Sequence, residues 1–211
     1  LSAIRVSLFT ALLSLILSRG IHSSPTRITR MASTSSANGV AFHWFRKGLR
    51  LHDNPALAAA ASTGQTVVPV FCIDPTFARS GKVGLIRYRF LLESLSDLDR
   101  SLRSKGSRLV VLRGSPTEVL PPLFGMESAS TVTWEHDTEP YAQTRDSQIS
   151  TVAQKNGVNV DVQHSHTLFE MERLLTASKG KPPGTYRAFC GMMSKVGPPP
   201  LPIDAPESLP E

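Results

Sequence analysis

Residues 40–73, VAFHWFRKGLRLHDNPALAAAASTGQTVVPVFCI, decide the fold class. The runs VAFHWF and TVVPVFCI at its two ends are almost continuously apolar, which is typical of strands buried on both faces of a parallel sheet. Between them, Asn54 and Pro55 form a helix start signal, with an N-cap followed by proline at the first helical position. We therefore predict a helix over 56–61, and with it a strand–helix–strand unit.

The same alternation continues to about residue 178. Further strands are predicted over 108–112, 131–135 and 158–162. Helices are predicted over Leu85–Arg103 and from Pro140 to about Lys155, and Ser115 begins a capping-box pattern for another helix. In repeated strand–helix–strand units, the connections between parallel strands are right-handed. The sequence thus predicts an α/β fold, Rossmann-like and doubly wound, with a five-stranded parallel sheet in the order 3-2-1-4-5.

This strand order also predicts where a ligand would bind. Ligands of such sheets lie beyond the carboxyl ends of the strands, beside the point where the strand order reverses. That point falls between the first and fourth strands. The residues that follow the first, second and fourth strands are 46–47, 74–77 and 136–139.

Several other sites are not expected. Neither G-x-G-x-x-G nor G-x-x-x-x-G-K-[ST] occurs, so no usual phosphate-binding loop is predicted. His164 and His166 flank Ser165, but no third ligand stands nearby in the sequence, and we predict no metal site. Trp44 and Trp134 lie on predicted strands, where packing is the expected role.

The net charge of +6 is concentrated at the N-terminus. Residues 1–52 contain seven Arg/Lys residues and no acidic residue, and the chain from Met31 onward carries only +2. The high isoelectric point is therefore not evidence that the domain itself binds DNA. Cys72 lies in an apolar run, which predicts a buried, reduced thiol.

Both ends of the chain differ from the domain predicted over 40–178. Residues 1–39 form a leader, predicted to be disordered, in which Arg5 precedes an apolar run and an acid-free Arg/Ser-rich stretch. Two interpretations stay open: a targeting segment, or upstream sequence that is not translated if Met31 is the start. Residues 179–211 are predicted to form a loop, a short helix and a proline-rich linker, which suggests that another domain follows.

The segment FHWFRKGLRLHDNPAL (42–57) closely resembles the signature that opens animal-type cryptochromes and (6-4) photolyases. Further blocks resemble the same subfamily, in the same order, and the resemblance covers roughly residues 40–202. These blocks are RYRFLLESLSDLDRSLR (87–103), SRLVVLRGSPTEVLPPLF (107–124), WEHDTEPYAQTRD (134–146), SHTLFEMERLL (165–175) and KPPGTYRAFCGMMSKVGPPPLP (181–202). The chain is thus similar to the N-terminal α/β domain of the photolyase/cryptochrome family.

The resemblance implies that the α/β domain and a helical domain have different functions. In this family, FAD, the tryptophan electron-transfer chain and the damaged-base pocket belong to a larger helical domain. No catalytic residue is therefore expected in this chain, which alone should be inactive. The α/β domain can hold an antenna chromophore, either 8-hydroxy-5-deazaflavin or a folate, whereas in animal cryptochromes the equivalent cavity accepts a clock or signalling protein. The family's cavity residues correspond to Arg46, Asp74, Phe77, Glu139, Ala142 and Arg145.

Two functions follow as expectations from the resemblance. The first is the light-harvesting or interaction domain of a blue-light-dependent flavoprotein of the (6-4) DNA photolyase type, which meets UV-damaged DNA through the intact protein. The alternative is an animal-type cryptochrome photoreceptor or circadian regulator that binds partner proteins at the same cavity. The expected location is the nucleus, or a plastid or mitochondrion if residues 1–30 are a transit peptide, and no membrane association is expected. A purely structural interpretation also stays open, in which Asp74 and Glu139 cap helices and Arg145 pairs with one of them.

Overall fold

The computed structural model describes residues 39–75 and 83–209, so residues 1–38 of the predicted leader lie outside the described part. Five strands are present there. They are β1 (Val40–Phe45), β2 (Thr66–Ile73), β3 (Val110–Arg113), β4 (Ala129–Glu135) and β5 (Asn159–Gln163). They form one sheet in the order β3-β2-β1-β4-β5, and every neighbouring pair is parallel. The predicted fold class and strand order are confirmed.

Helices connect and flank the strands. They are α1 (Pro55–Ser62), α2 (Leu85–Arg103), α3 (Pro116–Val119), α4 (Pro121–Phe124), α5 (Pro140–Lys155), α6 (Met171–Ala177) and α7 (Tyr186–Val196). The helix α6 was not predicted, and no residue in it is buried, so it has no apolar stripe toward a core. In the described part of the chain, no helix has the length and apolar character needed to cross a membrane.

The predicted helix caps at Asn54 and Ser115 have different outcomes. At α1, the Asn54 side chain accepts a hydrogen bond from the Leu57 N–H at 3.0 Å, as expected of an N-cap. The predicted capping box at Ser115 is wrong, because its side chain makes no cap hydrogen bond. The Ser115 hydroxyl instead lies 2.8 Å from the Thr117 hydroxyl.

The sheet buries apolar side chains on both faces, which explains the continuous apolar runs. From β1, Phe42 and Trp44 pack on one face with residues of α4 and α5. Ala41 and Phe45 point to the other face, where they pack with residues of α1 and α2. Cys72 is buried as predicted, and burial raises the pKa of its thiol to about 12.

The segment after α7 follows the surface of the domain without regular secondary structure. The Asp53 N–H donates to the Ile203 carbonyl at 2.8 Å, and the Leu209 N–H donates to the Lys105 carbonyl at 2.8 Å. Leu209 is only 3% exposed and packs in the apolar cluster that contains Leu102. This tail therefore completes the core on the α1/α2 face.

Candidate functional site

Arg46, directly after β1, joins three elements at the carboxyl end of the sheet. Its Nη1 donates to both carboxylate oxygens of Asp146 on α5, at 2.8 and 2.6 Å, and its Nη2 donates to the Glu135 carbonyl at the end of β4. The guanidinium carbon lies 5.0 Å from the Trp44 ring centroid. Because the side chain is only 9% exposed, these contacts hold its plane in one orientation.

Arg145 on α5 approaches the same tryptophan. Its guanidinium carbon lies 4.8 Å from the Trp44 ring centroid and 5.7 Å from that of Tyr141. Its Nε and Nη2 donate to Oδ1 of Asp146 at 3.0 and 2.9 Å. Two arginines thus share one carboxylate and one indole ring, an arrangement stabilised by cation–π attraction and charged hydrogen bonds.

The other predicted cavity residues differ in where they lie relative to Arg46 and Arg145. Asp74 follows β2 and accepts a hydrogen bond from the Tyr141 hydroxyl at 3.2 Å, which places it at the same end of the sheet. Ala142 is buried in the first turns of α5. Phe77 lies outside the described residues.

Glu139 lies at the rim, where its side chain is 64% exposed and pairs with Lys47 at 2.8 Å. It does not cap α5 with its side chain. Asp137 instead accepts the Glu139 N–H at 3.1 Å and also pairs with Lys47. Burial would raise the pKa of Asp137, but these hydrogen bonds outweigh it and hold the pKa below its ordinary value. Arg145 pairs with Asp146, so the structural interpretation for Glu139 and Arg145 is wrong in both parts.

A groove of about 280 Å³ lies beside this surface. It is lined by Trp134, His136, Asp137, Gln143, Asp146, Ser147, Ser150, Val162 and His164. The rings of His136 and His164 have centroids 4.5 Å apart. Burial, and then the neighbouring His164, lower the pKa of His136.

The part of this groove that comes from α5 was not predicted from the sequence. Gln143, Asp146, Ser147 and Ser150 recur at the spacing of one polar helix face, beside the buried face that Ala142, Ile149 and Ala153 form. In the described part of the chain, no group of three or more His, Cys, Asp or Glu residues is arranged to hold a metal ion.

A buried polar network positions the loop that carries Arg46 and Lys47. His43 on β1 is 1% exposed; its Nδ1 lies 2.9 Å from the Thr133 hydroxyl, and the Asn54 amide nitrogen lies 3.3 Å from its Nε2. An amide nitrogen can only donate, so Nε2 accepts and Nδ1 carries the proton. Burial lowers the pKa of His43 to about 3, which keeps the ring neutral.

Arg50 and Glu135 close the other side of the loop. Arg50 Nη2 lies 3.1 Å from Glu135 Oε1 and donates to the Asp53 and Ser165 carbonyls at 2.7 and 3.1 Å. A Cβ at Gly48 would overlap the Glu135 carboxylate, so a larger residue at this position would have to displace that side chain. The loop is therefore tied to β4 and to the segment after β5.

Comparisons with known proteins agree with this architecture. The model of the DNA photolyase family matches residues 41–207. Cryptochrome-2 of Gallus gallus is 45% identical over 163 residues, which cover 77% of this chain and 28% of that protein. The chain thus spans less than a third of this relative's length.

Solved structures show the same fold. The class III photolyase of Agrobacterium tumefaciens superposes with a TM-score of 0.72 at 30% identity, over 86% of this chain and 37% of its own. The archaeal photolyase of Sulfolobus tokodaii, solved with two FAD molecules, superposes with a TM-score of 0.69 at 28% identity, over 80% and 37%. Together with the family match, this similarity shows that the chain belongs to the photolyase/cryptochrome family, in which it corresponds to the N-terminal α/β domain.

Proposed function

We propose that this chain is the light-harvesting domain of a blue-light-dependent flavoprotein of the (6-4) DNA photolyase type. The observation that carries the proposal is the cluster around Trp44, where Arg46 and Arg145 meet and from which Tyr141 reaches Asp74. These residues come from three separate segments, and three of them, Arg46, Asp74 and Arg145, belong to the antenna cavity that the family resemblance implies, which supports the proposal.

The chemistry of this surface suits a planar chromophore. The Tyr141 ring and the guanidinium planes provide flat contacts, while Asp74 accepts hydrogen bonds from ring N–H groups or hydroxyls. Ala142 contributes little volume beside them. In the intact protein, an antenna of this kind passes excitation energy to FAD without any change in its own bonds.

The chromophore we expect is 8-hydroxy-5-deazaflavin or a folate. The Sulfolobus tokodaii photolyase, whose structure holds two FAD molecules with the implication of a novel light-harvesting cofactor, supports the proposal of a second chromophore. FAD itself would be held by the helical domain of the intact protein, and UV-damaged DNA would be bound through that domain.

Titration of the 211-residue chain with 8-hydroxy-5-deazaflavin and with a folate tests the proposal. We expect saturable binding of one of them, weakened about tenfold or more by Arg145→Gln, because a charged hydrogen bond contributes about 1.5–3 kcal/mol. Charge reversal is avoided because Arg145, only 15% exposed, lies beside Asp146. The control is Arg100→Gln on α2, whose side chain is 76% exposed. Equal affinity for the parent and Arg145→Gln would contradict this use of the surface.

A second candidate, an animal-type cryptochrome photoreceptor or circadian regulator, is favoured by the 45% identity to chicken cryptochrome-2. In that function the exposed Tyr141 and the charged rim of Lys47 and Glu139 would contact a clock or signalling protein. The intact protein decides between the two. Light-dependent repair of a (6-4) photoproduct supports the photolyase type, and inactivity in repair together with partner binding at Glu139 supports the cryptochrome.

We also propose a nuclear location for the intact protein, with a plastid or mitochondrion as the alternative if residues 1–30 act as a transit peptide. Fluorescent fusions with and without residues 1–30 separate the two. Organelle import that depends on those residues would overturn the nuclear proposal.

A further inference from the structure

Asp146 on α5 is the common partner of the two arginines beside Trp44, although it is not among the cavity residues that the family resemblance implies. Its Oδ1 accepts hydrogen bonds from Arg46 Nη1 at 2.8 Å and from Arg145 Nε and Nη2 at 3.0 and 2.9 Å. Its Oδ2 accepts a further one from Arg46 Nη1 at 2.6 Å. A ligand would have to compete with charged donors for both oxygens, so Asp146 is poorly suited to bind one directly.

Asp146 also compensates two like charges that are held close together. Arg46 and Arg145 have their guanidinium carbons 5.0 and 4.8 Å from the same Trp44 ring centroid, and both side chains are largely shielded from water. Two cations in such a place repel each other more strongly than they would in bulk water. Burial lowers the pKa of Arg46, and the charge of Asp146 acts in the opposite direction. The carboxylate therefore allows both arginines to remain beside one ring.

The contact with Asp146 fixes the direction of the Arg145 guanidinium group. Nε and Nη2 form one edge of this planar group, and both donate to the same carboxylate oxygen. Because the group is rigid, binding one edge also sets where the other nitrogen, Nη1, points. The buried Trp44 ring lies beside the same group and limits its movement further. A long side chain that would otherwise sample many rotamers is thus held in one of them.

We propose that Asp146 is a positioning residue of the antenna site. It holds Arg145 against Trp44 so that Nη1 is presented to the chromophore in one orientation, and it does this without touching the chromophore. A donor that is ordered before binding avoids the entropic cost of ordering it during binding. This inference rests on the proposed function, in which Arg145 binds the deazaflavin or folate.

Nuclear magnetic resonance of the 15N-labelled 211-residue chain tests the positioning without a chromophore. The Arg145 Nε–H signal is identified by its loss in Arg145→Gln, and it should exchange slowly with water because Asp146 accepts its proton. In Asp146→Asn the signal should move toward that of a free arginine side chain and exchange faster. An unchanged Arg145 signal in the folded Asp146→Asn variant would overturn the proposal.

Titration of the two candidate chromophores tests how Asp146 acts. We expect Asp146→Asn to weaken binding about tenfold, as Arg145→Gln does, and the double variant to stay within about twofold of Arg145→Gln alone. Independent contributions would instead multiply to a loss of about a hundredfold, which would overturn the proposal. The control is Asp97→Asn on α2, whose side chain is 71% exposed and pairs with Arg100, and which should leave the affinity unchanged.

Failure of this inference can be told apart from failure of the proposed function. A parent chain that binds neither chromophore contradicts the proposed function, and the Arg145 signal alone then decides whether Asp146 holds that side chain. A parent that binds, together with an Asp146→Asn variant that binds equally well, overturns only the role of Asp146.

If Asp146→Asn does not fold, Asp146→Glu replaces it, because glutamate keeps the charge and moves the carboxylate by one methylene. This variant should shift the Arg145 signal and weaken binding about threefold or more, since a site loosened by about 1 Å no longer holds its groups in the productive geometry. An affinity equal to that of the parent would overturn the proposal.

Discussion

His43 on β1 is a buried histidine, with only 1% of its surface exposed. It lies between the Thr133 hydroxyl and the Asn54 amide, and both ring nitrogens are satisfied only when the ring is neutral. Protonation would leave Nε2–H facing an amide donor. Its folded-state pKa of about 3, against an ordinary value of 6.5, reflects complete burial.

This difference makes the stability of the domain depend on pH. Between pH 6.5 and about 3 the unfolded chain holds a proton on His43 that the folded chain does not. Lowering the pH through this window should therefore reduce the free energy of unfolding, by about 1.4 kcal/mol per pH unit. The contribution is fully present above pH 6.5. Urea unfolding of the parent and of His43→Gln, at about pH 7.5 and about pH 5, measures the slope.

The glutamine side chain can form similar hydrogen bonds but does not titrate, so the slope should flatten in His43→Gln. His136→Gln is the comparison variant and should also flatten the slope, because the pKa of His136 is lowered as well. A slope in His43→Gln equal to that of the parent would show that another group causes the pH dependence.

At the scale of elements, helix α1 and the loop before it are held together by Asn54. Its Oδ1 caps the helix, and its amide nitrogen donates to His43 and to the Arg50 carbonyl. One side chain thus links the first strand, the helix start and the loop that presents Arg46.

Asn54→Ala should lower the free energy of unfolding by about 1–2 kcal/mol for the lost cap and about 1–3 kcal/mol for the unsatisfied His43 nitrogen. Ser115→Ala is the control, because the Ser115 side chain caps nothing at α3 and should change the free energy by only a few tenths. Urea denaturation of the two variants checks both values. Similar losses in the two would mean that the Asn54 contacts add no stability.

The tail after α7 is a second element whose contribution can be measured. Leu209 is 3% exposed in the α1/α2 cluster, whereas Leu201 on the same tail is 88% exposed. Leu209→Ala should cost about 2–5 kcal/mol, as for other buried leucines, and Leu201→Ala should cost almost nothing. Thermal or urea unfolding compares them. An unchanged midpoint in Leu209→Ala would show that the tail does not contribute to the core.

At the scale of the whole molecule, charge limits what this domain can do alone. From Met31 onward it holds 19 basic and 17 acidic residues. Several of the basic side chains on α2 are paired with acidic neighbours, which leaves little free positive charge on that helix.

We therefore expect a variant without residues 1–30 to bind duplex DNA only weakly, with a Kd of about 10⁻⁴–10⁻⁶ M or higher that rises steeply with salt. Titration with a duplex containing a (6-4) photoproduct, and with an undamaged duplex of the same sequence, provides the test. Tight binding that prefers the lesion would contradict the expectation and assign damage recognition to the α/β domain.

The sequence by itself determined the architecture. The continuous apolar runs at 40–45 and 66–73, together with the cap and proline signals before α1 and α5, are local patterns that identify buried parallel strands and helix starts. The strand order followed because right-handed crossovers leave few arrangements. The family resemblance then placed Arg46, Asp74 and Arg145 at one end of the sheet.

Only the tertiary structure decided the partners of those residues. Asp146 pairs with both Arg46 and Arg145, and Glu139 pairs with Lys47 at the rim. These pairs depend on which segments the crossovers bring within a few ångströms of one another. Local sequence patterns identify strands and helices. The side-chain contacts join residues that are far apart in the chain, so their geometry depends on how the elements pack.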